Sequence, residues 1–320
     1  MQIFHKFSLL PKKMRNSVFA IGNFDGLHIG HRTLIDEARK LSREYTALLG
    51  VLTFDPHPRE YFRPNQPSFR LTPRNIKLEL LESWGIDFTM NIPFNDDLSN
   101  TEAVKFIEKH LVENLGVRAV VVGHDFAFGK NREGNVSLLK KFSRKNSFNL
   151  KVVEPQLSRS GNLYSSRSIR ELLQSGKPKE AANFLGRWWS IRGKVIKGDQ
   201  RGRVLGYPTA NIKLDAYLQP SLGIYAVWTK IEGEGYWYKS AASLGVRPTF
   251  DGEGVLLEVY LMGFSGDLYG KNLEVKFIEY LRPEEKFLDI DSLKKQMELD
   301  CKKSEDLLEK KDFSVEYFSK

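Results

Sequence analysis

The hydrophobic period of this chain changes once, near residue 186, and that change limits what the chain can fold into. Before it, apolar runs at 17–22, 46–54, 87–91, 118–123 and 150–154 alternate with segments of helical period. That order predicts a parallel sheet covered by helices. Beyond "SGKPKEAANFLGRWW", glycine and proline break the chain into short runs: "GIYAVWTKI", "YWYKSAASLGV", "VLLEVYLM" and "LEVKFIEYL". Such runs predict an antiparallel barrel or sandwich, and a last helix is expected over 290–311. With 320 residues the chain exceeds the size at which one core stops growing. Two domains are therefore expected, 1–186 and 187–320.

Local signals place the helices. In "LTPRNIKLELLESWG", Thr72 is expected as N-cap with Pro73 at the first helical position. In "SNTEAVKFIEKHLVENLG", a Ser99 to Glu102 capping box is expected, with Val104, Ile107, Leu111 and Leu115 on one face. The single cysteine, Cys301, excludes an intramolecular disulfide and a multi-thiolate zinc site. It stands in helical line with Ile290, Leu293 and Met297, which predicts packing over reactivity.

The chain holds 49 Lys and Arg against 40 Asp and Glu, a net charge of +9. All of the excess lies in residues 1–186, with 28 basic and 19 acidic side chains; residues 187–320 carry 21 of each. A basic domain concentrates anions, which could be nucleotides, flavin phosphates or RNA; a merely solvated surface is the plainer alternative. Apolar runs such as "TALLGVLTF" are far shorter than the roughly 20 residues that span a bilayer. The N-terminus also lacks a signal-peptide pattern. A cytoplasmic protein without a membrane partner is expected.

"GNFDGLHIGH" (22–31) falls where a strand turns into a helix. A helix start presents unpaired N–H groups and a positive dipole end, an anion site. His28 and His31 share the first turn, where two imidazoles can hydrogen-bond a phosphate whose charge redistributes during transfer. Gly22, Gly26 and Gly30 allow close approach of a nucleotide. The arrangement is that of nucleotidyltransferases and class I aminoacyl-tRNA synthetases, which act at the α-phosphate of ATP. No lysine loop of the synthetase kind follows. Instead "YSSRSIR" (164–170) offers Ser165, Ser166 and Arg170 to pyrophosphate, a Ser-Ser helix cap being the other explanation.

The second half has its own candidate chemistry. No G-x-x-x-x-G-K-[ST] occurs, which excludes a P-loop. In "GKVIKGDQRGRVLGYPTANI" (193–212), Gly202, Arg203 and Gly206 could cradle phosphates. Thr209 and Asn211 alternate about Ala210, so an extended chain points both to one side. A hydroxyl and a carboxamide oxygen so placed suit Mg²⁺ on ATP phosphates. Glu258, alone in the apolar "VLLEVYLMGF", could take a proton from an alcohol, or could be a sheet-edge glutamate facing solvent.

Together, "GNFDGLHIGH", "TFDPHPRE", "GHDFAFGKNREG", "SSRSIR", "GRVLGYPTANI", "LGVRPTF", "GDLYGK" and "EYLRPEEKF" resemble, in order, the motifs of the prokaryotic bifunctional riboflavin kinase/FAD synthetase family. The resemblance implies a Rossmann-like α/β nucleotidyltransferase domain followed by a mainly antiparallel β-barrel kinase domain with a C-terminal helix. It implies phosphorylation of riboflavin to FMN and adenylylation of FMN to FAD, with ATP as co-substrate and Mg²⁺ as cofactor. His28 and His31 would contact ATP phosphates, with Gly22, Asn23, Phe24, Asp25 and Gly30 shaping the loop and Ser165, Ser166 and Arg170 holding phosphates. Asp125, Phe126 and Phe128 would line the nucleotide and flavin pocket, and His57 would border the FMN phosphate. Thr209 and Asn211 would be metal and phosphate ligands, and Glu258 the base for the ribityl 5′-hydroxyl.

The sequence departs from the family at Arg167, where Thr or Ser is usual, and at Ser243, Tyr260 and Gly263. Two alternatives stand beside the main reading. One is a riboflavin kinase with an impaired adenylyltransferase domain; the other is an RNA-binding, synthetase-like module. The main reading expects no nucleic-acid partner and allows a homo-oligomer.

Overall fold

A computed structural model describes residues 1–158, 161–198, 202, 205–214, 216–249 and 252–309, with backbone alone at 247–249, 252 and 253. The chain forms two compact units. One is Met1–Pro67 with Thr72–Ser165; the other is Ser68–Leu71 with Ser166–Lys320.

The first unit is built on a six-stranded sheet: β1 (Gln2–Phe4), β2 (Val18–Ile21), β3 (Leu49–Asp55), β4 (Phe88–Pro93), β5 (Ala119–Gly123) and β6 (Asn149–Val153). Its order is β1-β4-β3-β2-β5-β6, with every neighbouring pair parallel. The strands are apolar runs because helices cover both faces. Successive residues supply opposite layers: Phe19, Ile21, Val120 and Val122 join Phe88, Ile107 and Leu111, while Val18, Ala20 and Val121 join Leu34, Ile35 and Leu81. Chain order reverses at β2, with β3 and β4 on one side and β5 on the other. Beyond the carboxyl ends of such strands lies the crevice where open α/β sheets bind ligands.

Helices α1 (Ile29–Glu44), α2 (Pro58–Phe62), α3 (Arg74–Ser83), α4 (Asp96–Ser99), α5 (Ala103–Lys105) and α6 (Val136–Lys145) connect the strands. Three local expectations are corrected. Helix α3 starts at Arg74, one residue later than expected, with extended Pro73 as N-cap (ψ 160°). The Thr72 backbone N–H is engaged by Asp25 Oδ1 at 3.1 Å. Ser99 caps nothing: it ends α4 and donates to the Asp96 carbonyl, while Ala103 N is held by Glu133 Oε1. From α5 the chain continues as a π-helix over Phe106–Leu115. The wider winding turns Val104 away from the Ile107–Leu111–Leu115 face, and it is 40% exposed.

The second unit carries β7 (Ser190–Lys194), β8 (Ala210–Lys213), β9 (Gly223–Ile231), β10 (Tyr238–Thr249), β11 (Gly252–Leu261) and β12 (Asn272–Arg282). They pair antiparallel in the order β7-β12-β9-β10-β11-β8. Just past β7, Ile196 N donates to Asn211 O of β8 at 2.9 Å, so the two ends of the sheet meet in a nearly closed barrel. Helices α7 (Ser166–Gln174) and α8 (Pro178–Leu185) precede it. The segment Ser68–Leu71 is bound into this unit by main-chain acceptors. Phe69 O accepts from Arg170 Nε (2.8 Å), Arg70 O from Leu218 N (2.8 Å) and Leu71 O from the buried Trp189 Nε1 (2.9 Å).

The last helix, α9 (Ile290–Glu309), packs on β9 and β10. Its inner face is Asp300, Ser304 and Leu308, one residue round from the expected line, and Ile290 is exposed. Asp300 sits there because Arg282 forks onto both its oxygens, at 2.7–3.2 Å. Cys301, beside that inner face, is half-buried, and burial pushes its thiol up to about 11.

Candidate active sites

In the first unit, the turn from β2 to α1 is forced into an unusual path. Phe24, Gly26 and Leu27 have φ of 52°, 85° and 43°. Left-handed backbone at a non-glycine residue costs about 1–3 kcal/mol. Complete burial of Phe24 and Leu27 holds it in place. Asp25, itself buried, grips Thr72 N, and Thr53 Oγ1 donates to Asn23 O at 3.2 Å. Gly22 continues the ladder, its N–H donating to Leu52 O.

This path delivers two imidazoles to the start of α1. His28 is the N-cap, its Nδ1 accepting from His31 N at 3.3 Å. The His28 and His31 rings stack with centroids 3.7 Å apart and planes at 22°, and Phe24 backs His31 at 5.2 Å. A Cβ on Gly30 would lie 3.1 Å from both His28 Cε1 and Tyr164 O, so glycine lets the two approach without crowding. The chain before Ser165 thus packs on the first turn of α1. Ser166 opens α7 in the second unit. There Arg170 also lies over the Phe69 ring, 4.9 Å from its centroid. Arg167 points to solvent and pairs with Glu171 at 2.9 Å.

The remaining first-unit candidates differ in setting. Asp125 is exposed just after β5. Phe126 stacks on Phe128 (5.3 Å, 21°), and Phe128 belongs to the core against Phe106. His57 caps α2: its Nδ1 accepts from Arg59 N, and Glu60 Oε2 accepts from His57 N. Two features escaped sequence reasoning. At the ends of β3 and β4, Phe54, Tyr61, Phe62 and Phe94 form an aromatic cluster in which Phe62 is 64% exposed. Tyr61 OH bonds Asp96, which lifts the phenol above its usual range. The other is Lys77, a lysine buried on α3. Its position between Ile76 and Leu81, on an apolar face, was the available signal.

In the second unit, Ser243, Glu258 and Asn211 are register partners across β10, β11 and β8. They lie on the face opposite Leu257 and Val259, which are fully buried. β11 runs between two partners, so Glu258 is not on a sheet edge. Thr209 precedes Asn211 by two, and Asn211 Nδ2 reaches Thr209 O at 3.5 Å. A Cβ on Gly198 would fall 2.6 Å from Asn211 Nδ2, so that glycine makes room for the carboxamide. Tyr207 N donates to Gly202 O at 2.8 Å, and Gly206 is left-handed at φ 88°. Tyr260 meets Tyr207 edge-on at 5.2 Å, and Gly263 has φ 73°. Arg203 lies outside the described residues.

Thr209 and Asn211 present neutral oxygens suited to a hard cation. Among the described residues no three His, Cys, Asp or Glu converge as a metal cluster. Mg²⁺ held mainly by nucleotide phosphates needs only one or two protein oxygens, so this donor set fits it.

An α/β unit with an imidazole pair at a switch-point helix, joined to a barrel with a carboxylate beside a carboxamide, defines a two-site transferase. Comparison with known proteins agrees. The FAD synthetase family matches residues 10–167 and the riboflavin kinase family residues 185–308. The bifunctional riboflavin kinase/FMN adenylyltransferase of Haemophilus influenzae is 36% identical over 302 residues, 94% of this chain and 97% of that protein. Proteins of the same name from Listeria monocytogenes and Escherichia coli K12 are 36% and 34% identical, over 89% and 92% of this chain and 90% and 93% of theirs. The chain belongs to the bifunctional riboflavin kinase/FMN adenylyltransferase family. A crystal structure from Streptococcus pneumoniae, described as a macrolide-efflux protein, aligns with TM-score 0.85 and 28% identity, covering 95% of this chain and 99% of that one. No described helix here is long and apolar enough to cross a membrane.

Proposed function

We propose that this chain makes FMN and then FAD at two separate sites, residues 187–320 carrying the phosphorylation and residues 1–186 the adenylylation. In the first reaction Glu258 accepts the proton of the ribityl 5′-hydroxyl as its oxygen attacks the γ-phosphorus of ATP, and ADP leaves. Thr209 and Asn211 would hold Mg²⁺ and the phosphates, with Gly202 and Gly206 along the phosphate chain. The bound Mg²⁺ would supply neutralisation of phosphate charge. The Asn211–Glu258 register supports this reading, because it holds the base and the phosphate ligand side by side.

In the second reaction an oxygen of the FMN phosphate attacks the α-phosphorus of ATP, and pyrophosphate leaves. The nucleophile is already ionised, so no general base is required. The chain's task is to position two anions and to stabilise charge. His28 and His31 donate to phosphate oxygens at the start of α1, within the cradle of Gly22, Asn23, Phe24, Asp25 and Gly30. Ser165, Ser166 and Arg170 hold the leaving pyrophosphate. His57 borders the FMN phosphate, and Asp125, Phe126 and the edge of Phe128 line the pocket. The exposed Tyr61–Phe62–Phe94 cluster is the apolar surface on which a flavin ring would lie. The single observation that carries this assignment is the stacked His28–His31 pair at that helix start.

The basic excess of the first half serves ATP and FMN, so no nucleic acid is required, and a cytoplasmic enzyme, possible as a homo-oligomer, fits both substrates. The test is a time course with riboflavin, ATP and Mg²⁺, the flavins being separated by chromatography. FMN should precede FAD; FMN accumulating without FAD would leave a kinase alone. Neither product, together with salt-sensitive RNA binding, would favour the synthetase-like module.

A further inference from the structure

The most unusual titratable side chain of the first unit is Lys77, which neither proposed reaction uses. It lies on the inner face of α3 and is only 4% exposed. A buried amine is costly unless hydrogen bonds compensate it. Its Nζ donates to Thr53 Oγ1 at 3.1 Å and to Phe54 O at 3.3 Å. Thr53, with no exposed surface, passes its own proton on to Asn23 O at 3.2 Å.

The chain Lys77–Thr53–Asn23 therefore runs from α3 through the end of β3 into the turn that delivers His28 and His31. A second bond from the same side, Thr72 N to Asp25 Oδ1, holds that turn two residues on. The bond to Phe54 O restrains the other loop of interest, because Phe54 leads through Asp55 and Pro56 to His57. One amine thus ties together the phosphate turn and the last residues of β3, which lead on to His57.

We propose that Lys77 is a positioning residue for adenylyl transfer, acting through Thr53 to set the Asn23 turn against the end of β3 that leads to His57. The proposal rests on the assignment of adenylyl transfer to the His28–His31 site. Misplacing reacting groups by about 1 Å costs roughly 100-fold in rate. Loss of the relay is accordingly expected to act on kcat, whereas the ATP groups that the relay does not touch keep KM near its original value.

The test uses the full-length protein, FMN and ATP, with kcat and KM for FAD formation measured well below the melting temperature. Lys77→Met and Thr53→Val should each lower kcat roughly 10- to 100-fold, with KM for ATP changed less than about threefold. Thr53→Ser keeps both hydrogen bonds and should stay within about twofold of the parent. The double variant should be no worse than the more severe single one, because both remove the same relay. Thr53→Val with unchanged kcat, Thr53→Ser as impaired as Thr53→Val, or losses that multiply in the double variant would each overturn the proposal. If Lys77→Met does not fold, the two Thr53 variants decide it. His28→Asn is assayed alongside. If it leaves FAD formation intact, the site assignment fails; if it abolishes FAD formation while Thr53→Val does not, only the role of Lys77 fails.

Discussion

Asn211 stands directly opposite Glu258 in the ladder between β8 and β11. Cross-strand partners rise from the same face of a sheet about 5 Å apart at Cβ, so a carboxamide and a carboxylate stand side by side on that face. Glu258→Gln keeps the shape and removes the proposed base. It should slow FMN formation by roughly 10²–10⁴-fold, while FAD formation from supplied FMN stays unchanged in the same preparation. Equal loss of both products would contradict separate sites.

Gly198 tests the same pair from the other side. A methyl at this position meets the Asn211 carboxamide at 2.6–2.9 Å. Gly198→Ala should therefore displace Asn211 and lower the kinase rate by roughly 10- to 100-fold, with adenylyl transfer untouched. A kinase rate equal to that of the parent would show that Asn211 need not hold its place.

His28 has two separable duties, as helix cap and as ring. Asparagine is a good N-cap, so His28→Asn should melt near the parent protein while FAD formation falls roughly 10²–10³-fold. His28→Ala should lose the rate and also about 1 kcal/mol of stability. Denaturant melts and flavin chromatography on both variants separate the two effects. FMN formation should be unaffected in each.

His110 predicts a pH dependence of stability. It stacks on Phe7 at 4.0 Å, and burial, aided by Lys109 and Lys105, lowers its imidazole from the ordinary 6.5 to about 4. Between those values the unfolded chain binds a proton that the folded chain refuses, so stability rises with pH there. The contribution is complete above about 6.5 and is lost as pH falls toward 4. For this half-buried ring the slope should total on the order of 1–2 kcal/mol after screening. Denaturant midpoints from pH 4 to 7 should flatten correspondingly in His110→Phe.

How much of this was legible beforehand depended on the range over which each signal acts. β2 and β5 were readable as continuous apolar runs because both their faces are covered. His28, His31, Asn211 and Glu258 stood out as candidates because each combines a chemical type with a local spacing. β1 was not, since three residues paired in parallel at a sheet edge carry no period. Ser99 misled because Asp96, rather than the following turn, is its partner, and Val104 because π-winding changes which residues share a face. Lys77 was signalled only by its place on the apolar face of α3; its partner Thr53, 24 residues earlier, lay beyond local patterning. The assignment of Ser68–Leu71 to the second unit rests on hydrogen bonds spanning about a hundred residues or more, beyond the reach of local patterning.

Those four residues also set an order in time. Leu71 leaves the ribosome 118 residues before the indole that will donate to it, roughly 6–24 s at ordinary elongation rates of 5–20 residues per second. The second unit therefore takes up a peptide made long before its own first strand. A gene trimmed to begin at Ser166 would encode a barrel whose buried Trp189 N–H has lost its acceptor, a defect worth about 1–3 kcal/mol. A barrel separated from Ser68–Leu71 is thus expected to be less stable than the same barrel in the full-length chain.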